Sequence, residues 1–181
     1  MKKLATVAAL AILTASSVSA EGFYVGAGIS QERLSPVGAP FSYKSTNAIA
    51  LIGYDINDMI SVEAETSLPV SKGSFAGANI SVNHTAVFAK FTLPTSGSFK
   101  PFARAGMTKG TYKAEALPGG DYDYKVNDTV FSYGIGAEWA LSEKFGLRVD
   151  YSMMEMSDDG SLADGSPADV EVLALSSVYR F

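Results

Sequence analysis

The sequence predicts an all-β chain that closes into an eight-stranded antiparallel up-and-down transmembrane β-barrel. Three observations carry this. Apolar residues recur mainly at every second position, the period of strands rather than helices. The connections between the apolar stretches alternate long and short without exception. No apolar run reaches the roughly 20 residues of a membrane-spanning helix, so a chain of this kind enters a membrane only as a closed sheet that satisfies its own backbone.

The longest apolar run lies at the N-terminus and has a different meaning. Met1-Lys2-Lys3 precedes an apolar stretch from Leu4 to Leu13, and small residues follow to Val18-Ser19-Ala20. That is the order of a secretory signal. Residues 1–20 are therefore expected to be an export signal, and residues 21–181 one outer-membrane barrel domain. Removing Lys2 and Lys3 takes the formal net charge from −5 to −7. An acidic chain with scattered Lys and Arg lacks the basic stripe that neutralises phosphates, which argues against nucleic acid as a partner. There is no cysteine, so disulfides do not hold the exported domain together.

Eight strands are expected, at residues 22–30, 45–56, 60–69, 80–93, 99–110, 129–141, 145–155 and 170–181. The long connections are 31–44, 70–79, 111–128 and 156–169. The short ones are Asn57-Asp58, Pro94 to Ser98 and Ser142-Glu143-Lys144. An even strand count puts every long connection at one rim, and both chain ends with the short turns at the other.

Strand by strand, one face is large and apolar and the other small or charged. Phe23, Val25, Ala27 and Ile29 alternate with Tyr24, Gly26, Gly28 and Ser30. Ile60, Val62, Ala64, Thr66 and Leu68 alternate with Ser61, Glu63, Glu65 and Ser67. Phe131 to Leu141 and Leu147 to Met153 repeat the pattern. A soluble barrel turns its apolar face inward and a membrane barrel turns it outward. Gly26, Gly28, Gly134, Gly136 and Ala140 share a face with the charges, which suits a narrow lumen; on a solvent-facing strand glycine only weakens the sheet. Aromatics also gather near the short turns: Phe23, Tyr54, Phe99, Trp139 and Phe145, with Tyr179 and Phe181. That is the position of an interfacial girdle. The second, fourth and fifth strands are less clean, and there the charges set the phase. Lys90 and Arg104 point inward, because a cation at mid-depth in lipid costs about 2–4 kcal/mol. Either face is open to His84 if its strand is bulged.

Gly53-Tyr54, Glu63, Pro101 to Gly106, Tyr133 to Trp139 and Tyr179-Arg180-Phe181 together resemble the OmpA/OmpX-like family of small eight-stranded outer-membrane barrels, which includes opacity-type surface antigens. The resemblance spans residues 21–181 and rests on the order and spacing of short motifs. It implies residence in the outer membrane beside lipid and lipopolysaccharide. It also implies that Leu173, Leu175, Tyr179 and Phe181 are read by the outer-membrane assembly machinery; the plainer account is a closing strand with an interfacial aromatic. The chain departs from full-length members in stopping at the barrel, so anchoring to the cell wall is not implied.

The inward charges expected are Glu63, Glu65, Lys90, Arg104, Glu138, Arg148, Asp150 and Arg180. Four acids and four bases in a lumen just wide enough to be filled by side chains predict a plug of salt bridges. A leaky ion path through rearranging pairs is the competing expectation. Catalysis is not expected. His84 is the only imidazole, and His84-Thr85-Ala86 lacks the His-x-Ser of the lipid A deacylases, which are also small barrels. Gly26-Ala27-Gly28 and Gly134-Ile135-Gly136 complete no dinucleotide motif. Asp121, Asp123, Asp158, Asp159, Asp164 and Asp169 offer oxygen ligands without the EF-hand pattern and are read as solvated loops, so no metal or cofactor is expected. The expected role is that of a monomeric, non-enzymatic surface barrel whose long loops serve adhesion, a host or surface ligand, or envelope integrity, with a small low-conductance pore as the alternative. Phe41, Tyr43, Tyr112, Tyr122 and Tyr124 are the expected loop contacts, because aromatics supply area at low entropic cost.

Overall fold

A computed structural model describes residues 22–36, 42–71, 73–75, 78–116, 123–156 and 168–181. The expected export signal, Phe41 and Tyr122 lie outside these residues. The strands are β1 (Phe23–Pro36), β2 (Tyr43–Asp55), β3 (Ile60–Ser71), β4 (Gly73–Phe75), β5 (Ala78–Thr92), β6 (Phe99–Ala116), β7 (Asp123–Ala140), β8 (Phe145–Met156) and β9 (Ala168–Arg180). Apart from β3 and β4, which do not pair with each other, strands adjacent in chain order pair antiparallel, β1 pairs with β9, and β3 pairs directly with β5.

The three-residue β4 carries on the line of β3. Pairing of β3 with β5 ends at Thr66↔Thr85 and resumes at Gly73↔Ile80. Two more residues therefore run on the β3–β4 side than on β5 over this stretch. The same wall slips against β2 at Thr46/Asn47, opposite Pro69, whose missing N–H suits an irregular position. With β3 and β4 counted as one wall, the sheet is a closed eight-stranded barrel.

The register fixes the tilt. Arg33 pairs with Glu171, and the row continues through Met153, Tyr133, Ala105, Ala89, Val62 and Tyr54 to Phe23. One circuit thus returns to β1 ten residues from its start. With eight strands, that stagger tilts them by about 40° from the barrel axis.

The short turns are held by side chains. Asn57 Oδ1 accepts the N–H groups of Met59 and Ile60, both at 2.9 Å. Ser142 Oγ accepts the Phe145 N–H at 3.1 Å, and the Thr95 hydroxyl donates to the Phe99 carbonyl at 2.6 Å. These are the local bonds for which Asn, Ser and Thr are used in turns.

Several strands run further into the long connections than the sequence predicts. β1 reaches Pro36 rather than Ser30, and β6 and β7 stay paired out to Glu115↔Asp123. Polar residues such as Gln31-Glu32-Arg33 read as loop only if one face of a strand must be apolar. Above the membrane both faces of a barrel wall are free to be polar, so the ladder continues until Gly and Pro interrupt it.

Alternation holds around the wall. Ile52, Ile60, Val62, Val87, Phe91, Met107, Phe131, Ile135, Leu147, Val149, Leu173 and Leu175 are exposed on the outside. Charged and small residues lie within. What a soluble protein would call its core is here the lumen, and the outer face meets lipid.

Candidate functional site

The lumen is asymmetric because its wall is. At mid-height the inward positions of β1 and β9 carry Gly26, Gly28, Ser30, Ala174 and Ser176, while β3, β5, β6 and β8 carry long side chains. There is no room to exchange the two. A Cβ added to Gly28 would stand 2.0 Å from the Leu175 carbonyl oxygen and 2.6 Å from Ser176 Cα.

Glu63 on β3 is the centre of the filling. Arg148 on β8 donates to it through Nη1 and Nη2, at 2.6 and 3.0 Å. Lys90 Nζ on β5 lies 3.0 Å from Glu63 Oε1, and the Tyr24 hydroxyl on β1 donates to the same oxygen at 2.6 Å. Arg148 Nε reaches Asp150 at 3.0 Å, and Arg104 Nη1 on β6 reaches Glu65 at 2.9 Å. Arg104 also donates to Ser152 Oγ. The cations lie against ring faces: Arg148 is 4.5 Å from the Phe102 centroid, Arg104 4.3 Å from Phe88 and Lys90 4.5 Å from Tyr24. Every acid in this layer has a cation in contact, the condition under which charge is tolerated away from water.

Nearer the long connections the filling changes. His84 on β5 places Nδ1 3.0 Å from Glu32 on β1 and Nε2 2.9 Å from Glu65 on β3. Ser67 Oγ accepts the His84 backbone N–H at 2.8 Å. With a carboxylate at each ring nitrogen, the doubly protonated imidazolium is the form that satisfies both. Beside this group Leu34, Val82, Val130, Met154, Val170 and Val172 form a buried apolar cluster, against which Tyr43 packs. At the short-turn end Tyr24, Leu51 and Val178 form another. The ion pairs are thus enclosed at both ends by apolar packing. The short-turn mouth is held by Arg180, which pairs with Glu138 and stands 3.7 Å from Asp55.

Of the residues singled out from sequence, Glu63, Glu65, Lys90, Arg104, Glu138, Arg148 and Asp150 are buried on the inside. Arg180 stands at the mouth with its side chain 26% exposed. Phe23, Tyr54, Phe99, Trp139 and Phe145 are exposed on the outer face at strand ends beside short turns. Phe23 stacks at 4.7 Å on Tyr54, and Phe145, Tyr179 and Phe181 form two edge contacts at 5.0 and 5.1 Å. Leu173 and Leu175 point outward. The expected loop contacts fare differently. Tyr43, Tyr112 and Tyr124 belong to β2, β6 and β7, where backbone pairing holds them, and are not loop residues.

Two members of the lumen were missed. Glu32 falls in a stretch read as loop, although it continues the inward parity of Tyr24 to Ser30. His84, for which the sequence leaves either face open, shares the parity of Ala86, Phe88 and Lys90, all buried.

A closed antiparallel sheet with apolar side chains outside and paired ions inside is the architecture of a barrel that crosses a membrane. The chain belongs to the outer membrane protein beta-barrel domain family, whose model matches residues 4–181, and its place is the outer membrane. Neisserial surface protein A has a similar structure, with a TM-score of 0.73 and 17% identity over 89% of this chain and 98% of that one. Ail, the attachment invasion locus protein of Yersinia pestis, has a TM-score of 0.64 and 16% identity over 89% and 99%. OprG of Pseudomonas aeruginosa has 0.62 and 14% over 89% and 96%. At these identities the likeness is one of fold. No curated protein matches the chain in sequence.

Proposed function

We propose that this protein is a non-enzymatic surface barrel, a sealed scaffold that holds its long connections outside the cell for contact with a host or surface ligand or with the envelope. The filled lumen is the observation that carries this reading. Ion pairs joining β1, β3, β5, β6 and β8 lie between two apolar clusters, so a path for ions would have to break both kinds of packing. Neighbours of the same fold include a protein named for attachment and invasion, also seen in complex with the heparin analogue sucrose octasulfate; recognition through loops on a rigid wall is the corresponding role here. His84 supports no catalytic role: it is 2% exposed inside the lumen, and both ring nitrogens are engaged by carboxylates. The reading includes removal of residues 1–20 on export and recognition of the outward face from Leu173 to Phe181 during assembly.

Planar-bilayer recordings on refolded protein test the seal. Silence is expected, and steady single-channel steps would overturn it. Deleting residues 117–122 leaves the pairing of β6 with β7 in place as far as Ala114↔Tyr124, closed by three residues. Cells displaying that variant should lose adhesion to extracellular-matrix proteins while the barrel keeps its heat-modifiable mobility. Adhesion equal to the parent would remove this connection from the function. Intact mass of protein taken from outer membranes should correspond to a chain starting at Glu21.

A further inference from the structure

The wall between β3 and β5 is breached toward the long-connection end. Their ladder stops at Thr66↔Thr85, and pairing resumes only at Gly73↔Ile80 on β4. Between these points β3 stays with β2, from Ser67↔Ile49 to Ser71↔Thr46, and leaves β5. Side chains bridge the gap in place of a backbone ladder. Ser67 Oγ accepts the His84 N–H at 2.8 Å, and Asn47 Nδ2 on β2 donates to the Val82 carbonyl at 2.7 Å. The Ser45 and Thr66 hydroxyls stand 3.4 Å from the Val82 and His84 carbonyls. The polar groups are satisfied, but a stretch held by so few bonds is where a wall parts locally while the rest stays folded.

His84 ties the two sides of the gap from within. Its ring nitrogens reach Glu32 on β1 and Glu65 on β3, so one imidazole on β5 joins three strands. Charged, it donates to both carboxylates; neutral, it donates to one and turns a lone pair on the other. Glu65 keeps Arg104 on β6, whereas Glu32 has no cation besides the ring among the described residues, and its buried Oε2 is unpartnered. Asp128 on β7 stands in the row of His84, one strand beyond Gly110. At this level β2 brings the uncharged Ser45 and Asn47, and β8 and β9 bring Met154, Val170 and Val172.

We propose that the breach is a side gate controlled by the proton on His84: the charged ring holds β3 and β5 together, and the neutral ring lets the upper wall part and admit water to Glu32. The gate is therefore closed at low pH and opens as pH rises through the titration of the ring. An ionised carboxylate alone in the lumen is strongly disfavoured, and water entering through the breach relieves it. His84 lies five residues up β5 from Ala89, which shares a row with Phe23 in the girdle. That places the gate about 20 Å above the girdle, near the outer boundary of an apolar band about 25 Å tall. The layer around Glu63 stays shut beneath, so the gate opens into the lumen and not through it.

Dipolar broadening between two nitroxides tests it, since the chain has no cysteine and labels enter by substitution alone. Leu68→Cys with Asn83→Cys places them across the breach, at positions the lower register would pair. Val62→Cys with Ala89→Cys places them across the intact ladder. In the barrel refolded into liposomes, broadening across the breach should be strong at about pH 6 and fall at least about twofold by about pH 10, while the lower pair keeps its own. With His84→Gln the breach pair should be weakly broadened at both. With Glu32→Gln the fall should come about one pH unit lower, because one anion no longer holds the proton. Equal broadening across the breach at both pH values would overturn the proposal. So would an equal fall at the lower pair, which means general loosening. A fall that persists in His84→Gln, or a midpoint unmoved by Glu32→Gln, would assign the titration to another group and overturn it as well.

Discussion

The pairing of His84 with Glu32 sets up a test of how the lumen is held. Glu32 is fully buried, and among the described residues its hydrogen-bond partner is the His84 ring; its Oε2 has none. Glu65, the other acid on the ring, keeps Arg104 at 2.9 Å when the imidazole is removed. His84→Leu therefore leaves one buried carboxylate without a counter-charge, a loss that typically costs about 3–5 kcal/mol. Replacing both partners by apolar groups is close to neutral in comparable sites. In the His84→Leu, Glu32→Leu double variant the second change should recover about 2 kcal/mol or more of the first. Urea titration of the refolded barrel in detergent, followed by fluorescence of Trp139, the single tryptophan, reads the free energies. Equal stability of His84→Leu and the parent would refute the argument. So would costs that simply add in the double variant.

Three further outcomes follow from the same structure. Ile135, 67% exposed to lipid between Tyr133 and Ala137, should tolerate Leu, whereas Ile135→Arg should cost about 2–4 kcal/mol in the same titration. Gly28→Ala drives a methyl into the β9 backbone and should cost about 1–3 kcal/mol, while Gly97→Ala in a short turn meets nothing within 4 Å and should be silent by thermal unfolding. Phe181→Lys should lower the amount of folded barrel recovered from outer membranes far more than Arg180→Lys, which keeps a cation beside Glu138; comparable losses would mean the phase of β9 is wrong.

The parts of the fold legible in the sequence are those where one face must meet lipid. Alternation in Phe23 to Ile29, Ile60 to Leu68 and Phe131 to Leu141 gives strand, face and direction at once, because only the outer face has to be apolar. Beyond the bilayer that requirement lapses, and with it the signal. Glu32 and Leu34 continue the inward parity of β1, yet Gln31-Glu32-Arg33 looks like a solvated turn. Inward charges were legible one by one from the cost of a cation in lipid. Their pairing was not, since it depends on which strands face each other across the lumen. Arg148 and Glu63 are 85 residues apart in the chain and meet only because β3 and β8 stand on opposite arcs of a closed ring. The apolar cluster of Leu34, Val82, Val130, Met154, Val170 and Val172 escaped for a related reason: an inward Val beside outward Leu reads as a strand apolar on both faces.

The unequal distribution of large and small side chains in the lumen bears on how such a ring is finished. The seam where the two ends of the chain meet is β1 against β9, and at mid-height its inner surface is Gly26, Gly28, Ser30, Ala174 and Ser176. The contacts of Arg148 with Glu63 and of Arg104 with Glu65 link β3 to β8 and β6, strands away from the seam. Apart from Tyr24, Glu32 and Arg180, the seam brings no polar anchor to them. A curled sheet with its edges still apart can therefore complete most of its internal contacts first. The last strand then zips onto the first over a smooth mid-height surface, and the seam's two charges, Glu32 and Arg180, meet their partners His84 and Glu138 on other strands rather than each other.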